Sequence, residues 1–461
     1  MHSGMSVWCL EHGGRIIMET MNNYNGVILI VDLESKECET EDLSEELIEK
    51  ALGGAAINME LYEQYKDRDP LILGSGFFTA TFAPAACGGV MTGKSPVTGA
   101  VAHVPFGWQT GVELKLTGFD FVVILGKADG PVRLWLHDGL SDVDDSSDIW
   151  GSDTWESVDK VREAYGDEMI QLFVIGKAGE NKVPIAQVSE NYWGSKDRAG
   201  LGAVLGEKNV KAIAMRGLGA LEVAEGFFQK CMDLKNEIVG GAISGKAGLV
   251  DMAADLGIDA GVIEKLKSAA HRNDAGYNCP YPCYTFLKYR EDPTAMAMQG
   301  EAEPGCLVSD LAAFALLSAA GLDAAQAIEK CYRLGLDPAA AAQKASDIAA
   351  LDALATDGAA DGPAPWPLEG SNEAAAAEIC KAFSNAVPPK GIFTNQDGDA
   401  DWWLKRQALA YILGIDPVIM LMAPEMTEEK LVELVQISAE WEEFSLDDLQ
   451  KMVSELIEKS K

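Results

Sequence analysis

The character of the sequence changes near Leu221, and this change constrains the fold more than any other feature. Before it, short runs rich in branched residues alternate with stretches of Gly, Pro and Thr, a pattern that predicts β-strands joined by turns. After it, apolar residues recur at helical spacing and most runs stop at Gly, which predicts helices. The sequence therefore predicts an α+β protein with a β-rich N-terminal domain and an all-helical C-terminal half.

The same change divides the chain into four predicted segments. They are an N-terminal extension over residues 1–22, a β-rich domain over 23–220, a helical domain over 221–345 and a shortened helical domain over 346–461. The predicted strands lie at 27–33, 71–76, 121–126, 132–137, 169–176 and 210–217. In the C-terminal half, Ala-rich helices are expected around 339–355 and 373–383, with a loop at 357–370 between them.

The charge balance excludes several classes of partner. The 461 residues carry 37 Lys and Arg against 72 Asp and Glu, a formal net charge of −35. Nucleic acids and anionic membranes need a basic face, so neither is expected as a partner. No apolar run reaches the roughly 18 residues of a membrane-spanning helix, and the first residues lack a basic start followed by an apolar stretch. We expect a cytoplasmic protein whose nine scattered cysteines are mostly reduced.

Few residues suggest chemistry by their spacing alone. The five histidines fall far apart, GLGAVLG (200–206) lacks the spacing of a dinucleotide-binding loop, and the acidic segment 141–148 is expected to be a solvated loop. Cys279 and Cys283 are the only close pair of cysteines. Two thiolates at this spacing can face one iron of a cluster, but from the pair alone buried structural thiols are the more common outcome.

Several segments in a fixed order point to a known family. They lie at 51–64, 92–107, 113–139, 148–156, 174–188 and 197–217, with thinner matches at 277–283, 331–337 and 408–417. Together they resemble the aldehyde ferredoxin oxidoreductases, the tungsten-pterin family. The resemblance implies a domain in which two β-sheets clasp a tungsten-bis-pterin cofactor beside a [4Fe–4S] cluster, with helical domains closing over it.

Carried over residue by residue, the resemblance predicts a partly preserved site. It implies cofactor-binding roles for Arg198, Gly200, Gly202, Gly107 and Asp337, and it implies that the glycine-rich loops 86–108 and 197–206 face one central cleft. The family also has an arginine between pterin and cluster. In this sequence the corresponding position falls at about Gly88, so that arginine is missing.

The cluster motifs are less well preserved. Of the four cluster cysteines the chain keeps Cys279 and Cys283, a doubtful remnant, whereas Gly276 and Asp416 replace the other two. In the second pterin motif, Tyr411 also stands in place of the family's acid. A [4Fe–4S] cluster is therefore expected to be unlikely.

The catalytic elements of the family are missing between residues 340 and 407. This stretch has no Asp-Pro-Arg-Gly or Gly-His-Gly element and no histidine, so no catalytic residue can be named. The leading hypothesis is a non-catalytic or scaffold subunit of a larger redox complex, paired with a catalytic sister or an electron-transfer subunit, or a dimer. The alternatives are an active tungsten-bis-pterin oxidoreductase acting on aldehydes or related carbonyl compounds, and a carrier for the pterin cofactor.

Overall fold

A computed structural model describes most of the chain. The described residues are 23–195, 197–219, 221, 223–289, 305–358 and 400–460, with the side chains of 400 and 401 excepted. The predicted extension 1–22, the predicted helix at 373–383 and most of the predicted loop at 357–370 lie outside them.

The first sheet contains six strands. They are β1 (Val27–Asp32), β2 (Glu37–Asp42), β3 (Leu71–Ser75), β4 (Gly89–Lys94), β5 (Val101–Phe106) and β6 (Phe121–Leu125). Their order is β2-β1-β6-β3-β4-β5, and only β1 and β6 are parallel. The central strands β3 and β6 are buried along their whole length, which explains their continuous apolar sequence.

The second sheet also contains six strands. They are β7 (Val132–His137), β8 (Leu140–Asp145), β9 (Gln171–Val174), β10 (Ser189–Glu190), β11 (Trp193–Gly194) and β12 (Val210–Arg216), in the order β11-β10-β9-β12-β7-β8. The prediction of a solvated loop at 141–148 was wrong for most of that segment. Edge strand β8 pairs with β7 through its backbone while its acidic side chains stay at the surface, a common state for an edge strand.

The two sheets share one apolar core. Leu29 and Leu73 of the first sheet and Leu134 and Ile213 of the second belong to the same buried cluster. Six α-helices and one 3₁₀ turn accompany the sheets: α1 (Glu45–Ala51), α2 (Gly54–Tyr65), the turn Lys66–Arg68, α3 (Thr110–Leu116), α4 (Thr154–Tyr165), α5 (Lys177–Glu180) and α6 (Leu201–Glu207). All six strands predicted from the sequence are present in this domain.

The second half is mainly helical. Its helices are α7 (Phe227–Gly240), α8 (Gly248–Asp255), α9 (Ala260–Ala269), α10 (Leu311–Ala319), α11 (Ala324–Leu334), α12 (Pro338–Ala341), α13 (Ala350–Asp357), α14 (Ala400–Leu413), α15 (Pro417–Met422), α16 (Glu428–Ser438) and α17 (Leu446–Lys459). Helix α14 packs against α2 and α17, so the C-terminal helices contact the N-terminal domain.

A small antiparallel sheet interrupts the helical half. It contains β13 (Ala270–Asp274), β14 (Tyr284–Lys288) and β15 (Gly305–Val308) in that order. This sheet was not predicted from the sequence, because strand β13 is polar and mostly exposed and lacks the apolar run that marks the predicted strands. The predicted α+β class, with a β-rich N-terminal domain followed by a helical region, is confirmed, whereas the domain boundaries at 220/221 and 345/346 stay predictions.

The described helices were also compared with the requirements of a membrane span. None of them is long and apolar enough on its own. Helices α10 and α11 meet the requirements of length and composition only when taken together, and they are bent by 118° relative to each other.

Candidate functional site

A cavity lies where loops of the N-terminal domain meet the helical half. Its volume is about 90 Å³, below the roughly 300–1,000 Å³ that small-molecule sites occupy, and it opens to solvent. It is lined by Pro105, Phe106, Gly107, Glu190, Gly194, Ser195, Arg198, Met252, Leu256, Tyr284, Ser309, Asp310, Leu311, Ala312, Trp403, Gln407, Asp416, Pro417, Val418 and Leu421. The loops at 86–108 and 197–206 thus both contribute to one cleft, as the resemblance implied.

Arg198 joins the two halves of the protein at this cavity. Its Nη2 atom donates to both carboxylate oxygens of Asp310, at 2.7 and 2.9 Å, and both side chains are buried. Asp310 also caps helix α10, because its Oδ1 atom accepts from the Ala313 amide at 3.0 Å. The pair therefore fixes the start of α10 against the N-terminal domain.

Gly200 and Gly202 lie behind Arg198 rather than in the cavity lining. The buried carboxylate of Asp197 accepts from the amides of Gly200 at 2.9 Å and Gly202 at 3.0 Å. Burial raises the pKa of Asp197 to about 6, although these N–H donors act in the opposite direction. A Cβ atom on Gly200 or Gly202 would collide with the backbone of residues 184–187, so both glycines allow close chain packing, and their role in cofactor binding stays a prediction.

Gly107 lines the cavity beside a buried carboxylate. Its amide donates to Glu190 Oε2 at 3.0 Å, and the Thr110 hydroxyl donates to the same oxygen at 2.5 Å. These two donors hold Glu190 at the cavity wall and fix the turn that presents Gly107.

Asp337 is buried near the Arg198–Asp310 pair. It caps the short helix α12, and its Oδ1 atom accepts from the Ala339 amide at 2.9 Å. Burial raises the pKa of Asp337 to about 7; Arg198 opposes this rise and Asp310 adds to it. Asp337 does not line the cavity, so its predicted contact with a cofactor remains a prediction.

The segment around Asp337 has a structural counterpart elsewhere in the chain. Residues 332–338 read YRLGLDP and residues 411–417 read YILGIDP. In both, the glycine (Gly335 or Gly414) adopts a left-handed conformation, with φ of 70° or 73°, and the aspartate caps a short helix that begins with proline.

Each of these segments packs against a glycine at the end of a strand. A Cβ atom on Gly176, after β9, would lie 2.6 Å from the Gly335 nitrogen. A Cβ atom on Gly76, after β3, would lie 2.0 Å from the Gly414 nitrogen. The two segments thus occupy equivalent places on the two sheets.

Three cysteines gather at the second of these segments. Backbone hydrogen bonds join three loops: the Ala85 amide donates to the Asn278 carbonyl at 3.1 Å, and the Asp416 amide donates to the Ala85 carbonyl at 2.9 Å. Cys87, Cys279 and Cys283 lie on two of these loops, and Cys283 Sγ is 3.8 Å from Asp416 Oδ2.

The three thiols share one electrostatic environment. Burial raises the pKa of Cys87 and of Cys279, and the nearby Asp416 carboxylate raises both further. Without a metal these two thiols stay protonated at neutral pH. The sequence analysis kept only Cys279 and Cys283 as candidates and missed Cys87, which is far away in sequence and stands next to the position assigned to an arginine.

Two further residues of the cavity escaped sequence analysis. Both amide atoms of Gln407 and the Nε1 atom of Trp403 are buried without a hydrogen-bond partner among the described residues. Buried polar groups without partners are rare and call for a ligand or water. Gln407 offers both a donor and an acceptor, as a polar heterocycle requires. Gln407 and Trp403 therefore offer polar atoms to a heterocycle such as a pterin.

Comparisons with known proteins agree with this geometry. The family model described as aldehyde ferredoxin oxidoreductase, N-terminal domain, matches residues 28–217. The tungsten-containing aldehyde ferredoxin oxidoreductase of Pyrococcus abyssi is 38% identical over 255 residues, which cover 52% of this chain and 42% of that protein.

Two other similarities are informative. The aliphatic sulfonate oxidoreductase, WOR-like subunit, of Pyrococcus furiosus is 30% identical over 224 residues, which cover 44% of this chain and 36% of that protein. The matched part thus spans less than half the length of either relative. A chain of the active site complex BamBC of benzoyl coenzyme A reductase in complex with 1,5 dienoyl-CoA shares the fold, with a TM-score of 0.77, 17% identity and coverage of 95% of this chain and 89% of that chain.

Proposed function

Because this chain belongs, through its N-terminal domain, to the aldehyde ferredoxin oxidoreductase family, we propose that it serves as a non-catalytic subunit of a larger redox complex. When bound, the family's tungsten-bis-pterin supplies the oxidation of an aldehyde with oxygen taken from water. Arg198, the Gly107 turn and the amide of Gln407 line the cavity and are the groups that would contact such a cofactor. Holding the cofactor is one requirement for activity, and moving protons to and from a substrate is another.

The observation that carries the proposal is that the carboxylates of the cavity are already engaged. Glu190 accepts from Gly107 and Thr110, Asp310 is paired with Arg198, and Asp416 Oδ1 accepts from the Val418 amide at 2.8 Å. A general acid or base must be free to reach the reacting group with a pKa near the working pH.

The remaining groups of the cavity give no better candidate. Burial and the Asp416 carboxylate raise the pKa of the Tyr284 phenol well above its ordinary value. No histidine is among the described residues that line the cavity. These features support a subunit that holds a cofactor without turning over an aldehyde by itself.

An exposed aromatic pair supports a protein partner on the side of the cysteines. Phe82 and Phe228 are 43% and 51% exposed, and their rings meet edge to face at 5.0 Å. The Phe82 carbonyl accepts from the side chain of Asn278, next to Cys279. Exposed apolar side chains that cluster often mark contact sites. Because two chains of charge −35 repel each other, a less acidic partner, such as a catalytic sister or an electron-transfer subunit, is favoured over a dimer.

Size and activity measurements test the proposal. The protein is purified anaerobically from its native source at physiological salt, its mass and co-purifying chains are determined, and aldehyde-dependent reduction of a dye is measured for the complex and for the isolated chain. We expect a complex larger than the 49.3 kDa chain and turnover only with the partner. A chain that is alone in solution, or that oxidises aldehydes alone, contradicts the proposal; the second result favours the active tungsten enzyme.

A matched pair of variants tests where the partner binds. Phe82→Ser combined with Phe228→Ser removes the aromatic pair and should lower partner recovery at least tenfold. Leu218→Ser is the control, because Leu218, at 79% exposed, is the most exposed large apolar residue in the part of the chain that the structure describes. Equal loss in both variants would mean that the aromatic pair is not the contact.

The cellular setting belongs to the same proposal. No disulfide joins any two of the described cysteines, which are Cys38, Cys87, Cys231, Cys279, Cys283, Cys306 and Cys331. Reduced thiols are usual in the cytoplasm, which is the location we propose. Transfer of the pterin cofactor to another protein is the third hypothesis, and it predicts release of pterin to an apoenzyme without any stable complex.

A further inference from the structure

Three thiols and one carboxylate meet where the loops 85–88, 276–283 and 414–416 are joined by backbone hydrogen bonds. We propose that Cys87, Cys279, Cys283 and Asp416 together hold an iron–sulfur cluster, with Cys87 supplying the thiolate that position 276 lacks. The role of the cluster as an electron carrier rests on the proposed redox function. The ligand set itself is a property of this chain alone.

The strongest observation concerns Gly276 and Cys87. A Cβ atom built on Gly276 would lie 2.9 Å from Cys87 Sγ, closer than such atoms approach in real structures. The sulfur of Cys87 therefore lies directly beside position 276, in the space that a larger side chain there would need. A sulfur atom is thus kept at this place, although it comes from a loop almost 190 residues earlier in the chain.

Asp416 is oriented as a fourth ligand. Its Oδ1 atom is held by the Val418 amide at 2.8 Å, and its Oδ2 atom faces Cys283 Sγ at 3.8 Å. One oxygen is thus fixed by the helix start and the other is directed at the thiols. Thiolates are the usual ligands of iron–sulfur clusters, and other donors replace some of them in natural sites.

The four groups are not gathered around one point as a single metal ion requires. A single ion needs its sulfur donors at roughly 2.3 Å from one point. Within the described ranges, no group of three or more His, Cys, Asp or Glu side chains meets the requirements for one metal ion. A four-iron cluster binds one donor at each corner and therefore spaces its ligands more widely.

The proposed cluster site is mostly buried, and it lies between the cavity and the protein surface. Cys87 and Cys283 are fully buried and Asp416 is 5% exposed, whereas Cys279 is partly exposed beside the Phe82–Phe228 pair. Asp416 also lines the cavity. A cluster at this place lies between the cavity and the surface, which is the position required of an electron carrier between a cofactor and a partner.

The test is anaerobic reconstitution of the isolated chain with ferrous iron and sulfide. Iron and acid-labile sulfide are measured per chain, together with the visible absorbance and the electron paramagnetic resonance signal after reduction with dithionite. We expect close to four irons and four sulfides per chain. Neither an aldehyde nor a partner is involved, so failure here is distinguishable from failure of the proposed function.

Exchange variants identify the ligand. Cys87→Ala should retain less than one fifth of the iron and sulfide of the parent chain. Gly276→Cys in the Cys87→Ala background moves the sulfur back to position 276 and should restore most of both. Cys306→Ala is the matched control, because Cys306 is equally buried but its Sγ contacts the Ala325 carbonyl, away from the three loops.

Each outcome decides the question. Normal iron and sulfide in Cys87→Ala, or no rescue in the double variant, overturns the assignment of Cys87. Iron without matching sulfide, or no iron in the parent chain, overturns the cluster itself and supports the sequence-based expectation that none is held. If Cys87→Ala does not fold, the double variant alone decides, since it differs from the parent chain only in the loop that carries the sulfur.

Discussion

Asp337→Asn is the substitution whose effect the structure predicts most sharply. Asp337 is buried, caps helix α12 through the Ala339 amide, and has a pKa raised to about 7. Asparagine is as good a helix cap as aspartate, so the substitution keeps the cap and removes only the ionisable group.

The sign of the effect follows from proton binding in the two states. The folded protein keeps the proton on Asp337 up to about pH 7, whereas the unfolded chain releases it near the ordinary value of 3.8. Between these values the folded state binds more protons, so the free energy of unfolding falls as the pH rises, by about 1.4 kcal/mol per pH unit. Over about three units, the loss for the parent chain by pH 8 is about 4 kcal/mol.

Asparagine has no ionisable group, so the variant does not lose stability through deprotonation at this position. We expect the variant to equal the parent chain near pH 4 and to exceed its stability by about 4 kcal/mol at pH 8. Urea unfolding of both proteins at pH 4, 5, 6, 7 and 8 measures the difference. Asp323→Asn is the control, because Asp323 caps helix α11 through the Gln326 amide but is exposed, and its effect should be small at every pH. A variant that is less stable than the parent chain at pH 8 would refute the reasoning, since it would show that Arg198 needs the Asp337 carboxylate.

Two further substitutions test packing at the same site. Asp310→Asn keeps the cap of α10 but removes the buried carboxylate charge that pairs with Arg198, so urea unfolding should show a loss of about 3–5 kcal/mol. Glu264→Gln in an exposed pair should change stability by less than about 1 kcal/mol. Gly414→Ala places a Cβ atom 2.2 Å from a side-chain oxygen at a φ of 73°, and should destabilise by clearly more than Gly139→Ala, where φ is 79° and the space is open. Equal losses for the two glycines would show that backbone strain alone sets the cost.

Much of the fold could be predicted from the sequence because its signals are local. The buried strands β3, β6 and β12 are mostly apolar runs, with Lys211 the charged exception inside β12, and the C-terminal helix α17 begins at a capping box formed by Ser445 and Asp448. The prediction was wrong where a strand forms only because a neighbouring strand pairs with it. The acidic segment at 141–148 contains edge strand β8 because β7 offers it backbone hydrogen bonds, and those cannot be seen in its own sequence.

The site was harder to predict for the same reason. Arg198 and Gly107 carry family motifs and were found to line the cavity, but Gln407 and Trp403 belong to no motif and show their importance only as buried polar groups without partners. Cys87 gave no signal by spacing, since its neighbours in space are far away in sequence. A search for cysteines near any position where a motif loses one could have drawn attention to it.

The segments 332–338 and 411–417 have the same backbone arrangement, but their aspartates lie in different chemical environments. Both end in an aspartate that caps a short helix, yet Asp337 has Arg198 and Asp310 nearby while Asp416 faces Cys283. Neutralising the first aspartate is expected to raise stability, because burial disfavours its charged form. The same change at the second is expected to lower cluster binding, because its Oδ2 atom is the fourth donor of the proposed cluster. Asp416→Asn should therefore lower iron and sulfide retention, whereas Asp337→Asn should leave both unchanged, and the opposite pattern would reverse the assignment of the two segments.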